Sequence, residues 1–158
     1  MSDDVERGYK ALEFSKLKEH LENIPFWKYL GIKVRDMDVG YAELYLPFKE
    51  ELAQNYANMH GGALATLLDV AGAVALITSV GSKVVNTAEM KINYLKPVTP
   101  EQTEVRAYGR VVQVGGTLGI CTVELKNGEE RLVAIGIGTY AIRSMDTIRS
   151  TDKLKSFG

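Results

Sequence analysis

The sequence predicts an α+β domain: an antiparallel sheet of about six strands wrapped around one long central helix, with a short N-terminal helix in front. Three observations carry this. The stretch from His60 to Val80 spaces Leu64, Leu67, Leu68, Ala71, Val74 and Ala75 as a buried helix does. Two strand-like stretches precede it, and four follow at 84–95, 103–114, 117–126 and 131–142. A lone helix must bury its apolar face on a sheet, and strands of this number and length can curl around it.

The elements follow in order. Residues 14–23, "FSKLKEHLEN", form the short amphipathic helix, which Pro25 is expected to close. Phe26, Trp27 and Tyr29 then read as an aromatic loop cluster. "GIKVRDMDVGYAELYLP" gives two strands turning near Asp38-Val39-Gly40, with Ala42, Leu44 and Leu46 alternating with Glu43 and Tyr45. Pro97 and Pro100 break the chain after the next strand, and Asn127-Gly128 marks a tight hairpin. From Ser144 the chain is polar and is expected to be poorly ordered. This divides the chain into a helical extension (1–25), one domain (26–143) and a tail (144–158). One helix leaves the sheet's other face and its edges open, which favours a homodimer or homotetramer.

Composition bounds the function. The chain is 46% hydrophobic and 25% charged, as soluble globular domains are. A net charge of −1 without a basic cluster argues against nucleic acid or an anionic membrane as partner. The lone Cys121 allows no internal disulfide and suits a reducing compartment; its place in a strand reads as small core packing. "MSDDVERGYK" lacks the apolar stretch of a signal peptide, and Thr66, Asp69, Thr78 and Ser79 interrupt the longest apolar run, so a cytoplasmic protein is expected. His20, His60 and Cys121 compose no metal site, and no cofactor is called for. No nucleophile elbow accompanies them.

The chemical question is Asp69. It is the one acid between Glu51 and Glu89, inside an apolar helix, where a carboxylate must be paired or solvated. Upstream, "QNYANMHGG" ends at the expected helix start. Amide N–H groups of a first turn lack intrahelical partners, the helix dipole adds positive charge, and Gly61 and Gly62 let a ligand approach the backbone. That arrangement polarises a carbonyl. Gln54, Asn55 and Asn58 could add amide donors. The structural alternative has the glycines serving packing, Asn58 capping the helix, His60 in a capping or core role, and Asp69 held by a serine, threonine or tyrosine in a dimer interface. Gly61 and Asp69 are separated by eight residues, about 12 Å along a helix axis. Asp69 therefore cannot serve its own helix start, and a catalytic Asp69 implies a site shared by two chains.

These residues resemble the hotdog-fold acyl-CoA thioesterases, in particular the group related to the phenylacetate-pathway and 4-hydroxybenzoyl-CoA thioesterases. The pattern is an amide residue (Gln54), His60-Gly61-Gly62 six positions on, and an acid (Asp69) nine after the histidine; "TAEMKINYLKPV" continues it, and the likeness spans roughly residues 30–142. The resemblance implies hydrolysis of an acyl-CoA thioester without metal. The Gly61 N–H would polarise the carbonyl, with Gln54 near the same oxygen or placing the water. His60 would shape the turn on the sulfur side. Asp69 of a partner chain would act as general base or nucleophile, and Thr87 would hold the water; a plain structural threonine is the alternative. Asn55, Asn58, Gly62 and Ala73 would line the substrate. Small residues along the helix (Ala63, Ala65, Ala71, Gly72, Ala73, Ala75) would leave room for an acyl tunnel between helix and sheet across the dimer interface, with Phe26, Trp27 and Tyr29 closing one end or serving as core.

Two positions depart from that pattern. Ala57 stands where a glycine is common, and Gly116 stands where a basic residue is common, which leaves Lys83, Lys91, Lys96 and Arg149 as candidates for the coenzyme A nucleotide. A hotdog dehydratase or hydratase is the nearest enzymatic alternative, but it would use a histidine paired with an acid in the pocket. A non-catalytic acyl-CoA sensor is another, but residues 1–25 are too few for a DNA-binding module.

Overall fold

The computed structural model describes residues 3–144, with side chains from residue 13 onward. The order is α1 (Asp3–Glu22), α2 (Pro25–Leu30), β1 (Lys33–Asp38), β2 (Tyr41–Pro47), α3 (Gly61–Val80), β3 (Val84–Tyr94), β4 (Glu104–Val114), β5 (Leu118–Asn127) and β6 (Leu132–Arg143). All six strands join one antiparallel sheet in the order β1-β2-β4-β5-β6-β3. This is the hotdog architecture: a curled sheet around α3.

The core lies between α3 and the sheet face it covers. Leu64, Leu67, Leu68, Ala71, Val74 and Ala75 share one core with Ala42, Leu44, Leu46, Val105, Ala107, Val123 and Leu125, all buried, and Leu76 packs with Cys121, Tyr140 and Ile142 in a second cluster. Strict alternation on β2 and β4 turns one set of side chains onto the helix. Each fully buried leucine contributes about 1.5–3 kcal/mol. α3 has the length and hydropathy of a membrane-spanning helix, despite its polar interruptions. Its apolar side chains are taken up by the sheet, as those of a core helix are.

The small residues of α3 serve this packing. A Cβ at Gly109 would overlap the Ala71 carbonyl oxygen, and one at Gly72 would overlap the Tyr140 hydroxyl. Within the chain, the space beside Ala71 and Gly72 is therefore filled by the sheet backbone and Tyr140. Ala65 and Ala73 stay half-buried on the other side of the helix.

Three local expectations change. The N-terminal helix runs Asp3–Glu22 rather than 14–23, and Pro25 opens a second helix, α2, instead of only ending the first. A proline's missing N–H costs nothing at a first helical position. In α2 the aromatics are not a loop cluster: Trp27 is buried beside Leu21 in the core, whereas Phe26 and Tyr29 are exposed. The β5–β6 turn is wider than a two-residue Asn-Gly hairpin. Asn127 Oδ1 accepts from the Glu129 and Arg131 amides, and Glu130, not Gly128, takes the left-handed conformation (φ 59°). The expected polar tail beyond Ser144, with Arg149, lies outside the described residues.

Candidate active site

The loop before α3 is a small built hairpin. The Gln54 N–H donates to the Asn58 carbonyl and the Ala57 N–H to the Gln54 carbonyl, while Ala53 bridges Met59. The Met59 N–H donates to Val98 O and the His60 N–H to Leu52 O, which fixes the approach to the helix. Ala57 takes a left-handed conformation (φ 61°), so at the position where glycine is common this chain holds the glycine-like geometry with alanine. Gln54 and Asn55 are exposed, Asn58 is half-buried, and none of the three side chains forms a hydrogen bond among the described residues.

The helix cap is His60, not Asn58. Its Nδ1 accepts from the Gly62 N–H at 2.8 Å. An accepting Nδ1 places the ring proton on Nε2, and His60 is exposed, so Nε2–H is available as a donor. The Ala63 and Leu64 amides donate to the His60 carbonyl. The Gly61 N–H is thus the one amide of the first turn with no partner among the described residues. Tyr94 stands over it: Oη donates to the Gly61 carbonyl at 3.1 Å, and the ring lies 3.7 Å from where a Gly61 Cβ would be. Tyr94 is the site residue that the sequence reading missed. Its alternation with Ile92 and Met90 was legible, but its meeting with Gly61, 33 residues away in the chain, was not.

Asp69 has its partner within the chain: Thr87 Oγ1 donates to Oδ1 at 2.6 Å. The Tyr140 hydroxyl donates to the Asp69 carbonyl at 3.0 Å. Burial, and secondarily the Asp69 charge, push the Tyr140 phenol far up, so it stays a donor. Ala73 lies one turn after Asp69 on the same half-open face. The chain therefore carries the candidate residues in two groups on one helix, the candidate half-sites. One holds the His60-Gly61-Gly62 start with Gln54, Asn55, Asn58 and Tyr94; the other holds Asp69 with Thr87 and Ala73. They are about 12 Å apart along α3 and are not brought together within one chain. Both border β3, the edge strand, whose outer edge pairs with nothing among the described residues.

Of the basic candidates, Lys83 and Lys96 are exposed near the two ends of β3. Lys91 points to the opposite sheet face, where with Tyr41, Tyr108 and Arg110 it lines a groove of about 650 Å³. That groove is on the far side of the sheet from both half-sites. Cys121 is fully buried and its thiol is pushed up to about 11 by burial, which leaves it inert as a nucleophile.

Comparison with known proteins gives the family. A family model described as the thioesterase superfamily matches residues 56–134, from the loop before the helix into β6. A presumed esterase of Saccharolobus solfataricus is 30% identical over 116 residues, covering 73% of this chain and 81% of its own. The medium/long-chain acyl-CoA thioesterase YigI of Escherichia coli is 24% identical, covering 76% and 86%. The solved structure of PaaI from the Escherichia coli phenylacetic acid degradation operon superposes with a TM-score of 0.75 at 24% identity, covering 85% and 94%. By the family model's match and the sheet order, the chain belongs to the thioesterase superfamily, a hydrolase family, in its hotdog form.

Proposed function

We propose that this protein hydrolyses acyl-CoA thioesters at sites shared between two chains. The single observation that carries the reading is the Gly61 N–H, without a partner among the described residues, at the positive end of a long helix, in a chain whose family cleaves thioesters. A thioester carbonyl fits such a donor, and negative charge developing on its oxygen is stabilised by the N–H and the dipole. Gln54 and Asn58, whose side-chain amides form no hydrogen bond among the described residues, flank the same oxygen or the water; Asn55 and Gly62 line the approach, and Ala73 borders the acyl chain. His60 keeps Nδ1 on the Gly62 amide and offers Nε2–H toward the sulfur side. With Nδ1 occupied it does not serve as the histidine base of a dehydratase.

The partner subunit's Asp69 supplies the base. Pairing two β3 edges around a two-fold axis sets two α3 helices antiparallel, so the Asp69 of each faces the Gly61 end of the other. Thr87 binds Oδ1 and leaves Oδ2 to take a proton from water as it attacks the carbonyl carbon. The C–S bond then breaks, the proton held by Asp69 passes to the sulfur, and coenzyme A leaves as the thiol with the acyl group released as its acid. YigI, named for medium- and long-chain acyl-CoA, makes aliphatic chains the first to test.

The experiment is thiol release over a panel of aromatic and of short- to long-chain aliphatic acyl-CoAs, read as kcat/KM. Steady turnover with a clear preference is expected. Stoichiometric binding without turnover would instead make the protein an acyl-CoA sensor.

A further inference from the structure

We infer that Tyr94 is a positioning residue, which clamps the Gly61–Gly62 peptide so that the neighbouring Gly61 N–H keeps a fixed aim; this rests on the thioesterase reading above. The two peptide planes that flank Gly61 are both pinned. The His60–Gly61 plane is held at its oxygen by the Ala63 and Leu64 amides. The Gly61–Gly62 plane is held at its N–H by His60 Nδ1 (2.8 Å) and at its oxygen by Tyr94 Oη (3.1 Å). Tyr94 is the one clamp that comes from outside the helix and its capping residue.

The need for an outside clamp follows from the glycine pair. Consecutive glycines are the most permissive backbone there is, and a first helical turn frays. An oxyanion donor works by being aimed before the reaction, so a Gly61 N–H that wanders loses much of its effect. Tyr94 is 52% exposed, so burial does not demand that its hydroxyl find a partner. Its ring is nevertheless laid against Gly61. The register explains how: opposite Tyr94 on β6 is Ala134, whose small side chain leaves the ring room beside the helix start.

The test uses the full-length protein and two coenzyme A analogues. One replaces the thioester by a ketone and keeps the carbonyl; the other is an S-alkyl thioether that lacks it. Tyr94→Phe keeps the ring and removes the hydroxyl. It should lower kcat/KM about tenfold, the loss of one hydrogen bond. It should also weaken the ketone by a similar factor and leave the thioether unchanged. Unchanged kcat/KM and ketone affinity overturn the role, as does equal weakening of both analogues, which would make Tyr94 an ordinary ligand contact. If Tyr94→Phe unfolds, fluorotyrosines at position 94 keep the shape and vary the donor: kcat/KM that tracks hydroxyl acidity upholds the clamp, and a flat series overturns it. A wild-type protein that releases no thiol and does not prefer the ketone overturns the thioesterase reading itself. A wild type that turns over beside an unaffected Tyr94→Phe overturns only Tyr94.

Discussion

Thr87 Oγ1 reaches Asp69 Oδ1 at 2.6 Å because Ala88 is an extra residue in β3. On β3 the register with β6 steps from Thr87↔Tyr140 to Glu89↔Thr139. Beyond the step Met90, Ile92 and Tyr94 face the helix; before it Val85 and Thr87 do. Without the bulge, period-two alternation would put Thr87 on the same face as Glu89 and Lys91, away from α3. One inserted residue thus lets a single edge strand serve both half-sites, Thr87 for Asp69 and Tyr94 for Gly61.

Asp69→Asn should keep the fold and lower turnover at least about a hundredfold, as expected for loss of a general base. Thr87→Val should cost about tenfold by removing the hydrogen bond that orients the carboxylate, and Thr87→Ser should restore most of it. Steady-state kcat on the best acyl-CoA reads all three. A folded Asp69→Asn that keeps more than a tenth of the wild-type rate would remove Asp69 from the chemistry.

Mixed dimers test the sharing of sites. Gln54→Ala on one chain and Asp69→Asn on the other, isolated by two tags, put every defect into one composite site and leave the second intact. About half the wild-type activity should return, against near zero for each parent. A folded mixed dimer as inactive as its parents shows that no site is shared. Separately purified parents that do not exchange subunits are the control.

Ala57 sits at φ 61°, a conformation that costs a non-glycine residue about 1–2 kcal/mol. Ala57→Gly removes that cost but adds about 0.5–1 kcal/mol of backbone entropy to the unfolded chain. The net expectation is a gain of up to about 1 kcal/mol, whereas the β-branched Ala57→Val should lose about 1–2 kcal/mol. Denaturant midpoints decide it: valine tolerated as well as glycine would mean that the loop is not left-handed in solution.

Gly72 and Tyr140 should behave as a coupled pair. Gly72→Ala drives a methyl into the buried phenol and should cost about 1–3 kcal/mol. Tyr140→Phe gives up the bond to the Asp69 carbonyl, about 0.5–1.5 kcal/mol. With the hydroxyl gone the worst overlap is removed and only the ring carbon Cζ, 2.9 Å from the added methyl, remains to give way, so the double variant should lose about 0.5–1 kcal/mol less than the sum. Strict additivity would place the clash elsewhere.

Alkaline pH should destabilise the fold through Cys121. Burial raises its folded pKa from 9.0 to about 11, so the unfolded chain ionises first. The stabilisation is complete below pH 9 and is lost as pH rises through about 11, a change of about 2–3 kcal/mol. Tyr140, also raised by burial, acts with the same sign. Urea midpoints against pH should therefore fall less steeply for Cys121→Ala than for wild type; parallel slopes would refute the assignment.

What the sequence determined by itself is what local pattern encodes. The spacing of Leu64, Leu67, Leu68, Ala71 and Val74 marked α3, alternation marked the strands, and the interval from Gly61 to Asp69 keeps Asp69 from reaching the start of its own helix, because helix rise is fixed. The tertiary structure decided what depends on which distant residues meet. It chose Thr87 as the partner of Asp69 through a bulge that no alternation count exposes. It brought Tyr94 to Gly61, and it filled the space beside Gly72 with Tyr140, where the small residues alone suggested a tunnel. It gave the helix cap to His60 rather than Asn58, since which side chain reaches a free amide depends on the path of the loop, and that path is set by bonds to Leu52 and Val98. Period and spacing are properties of the chain alone, whereas contact across the sheet depends on register, and register is settled only when the whole core packs.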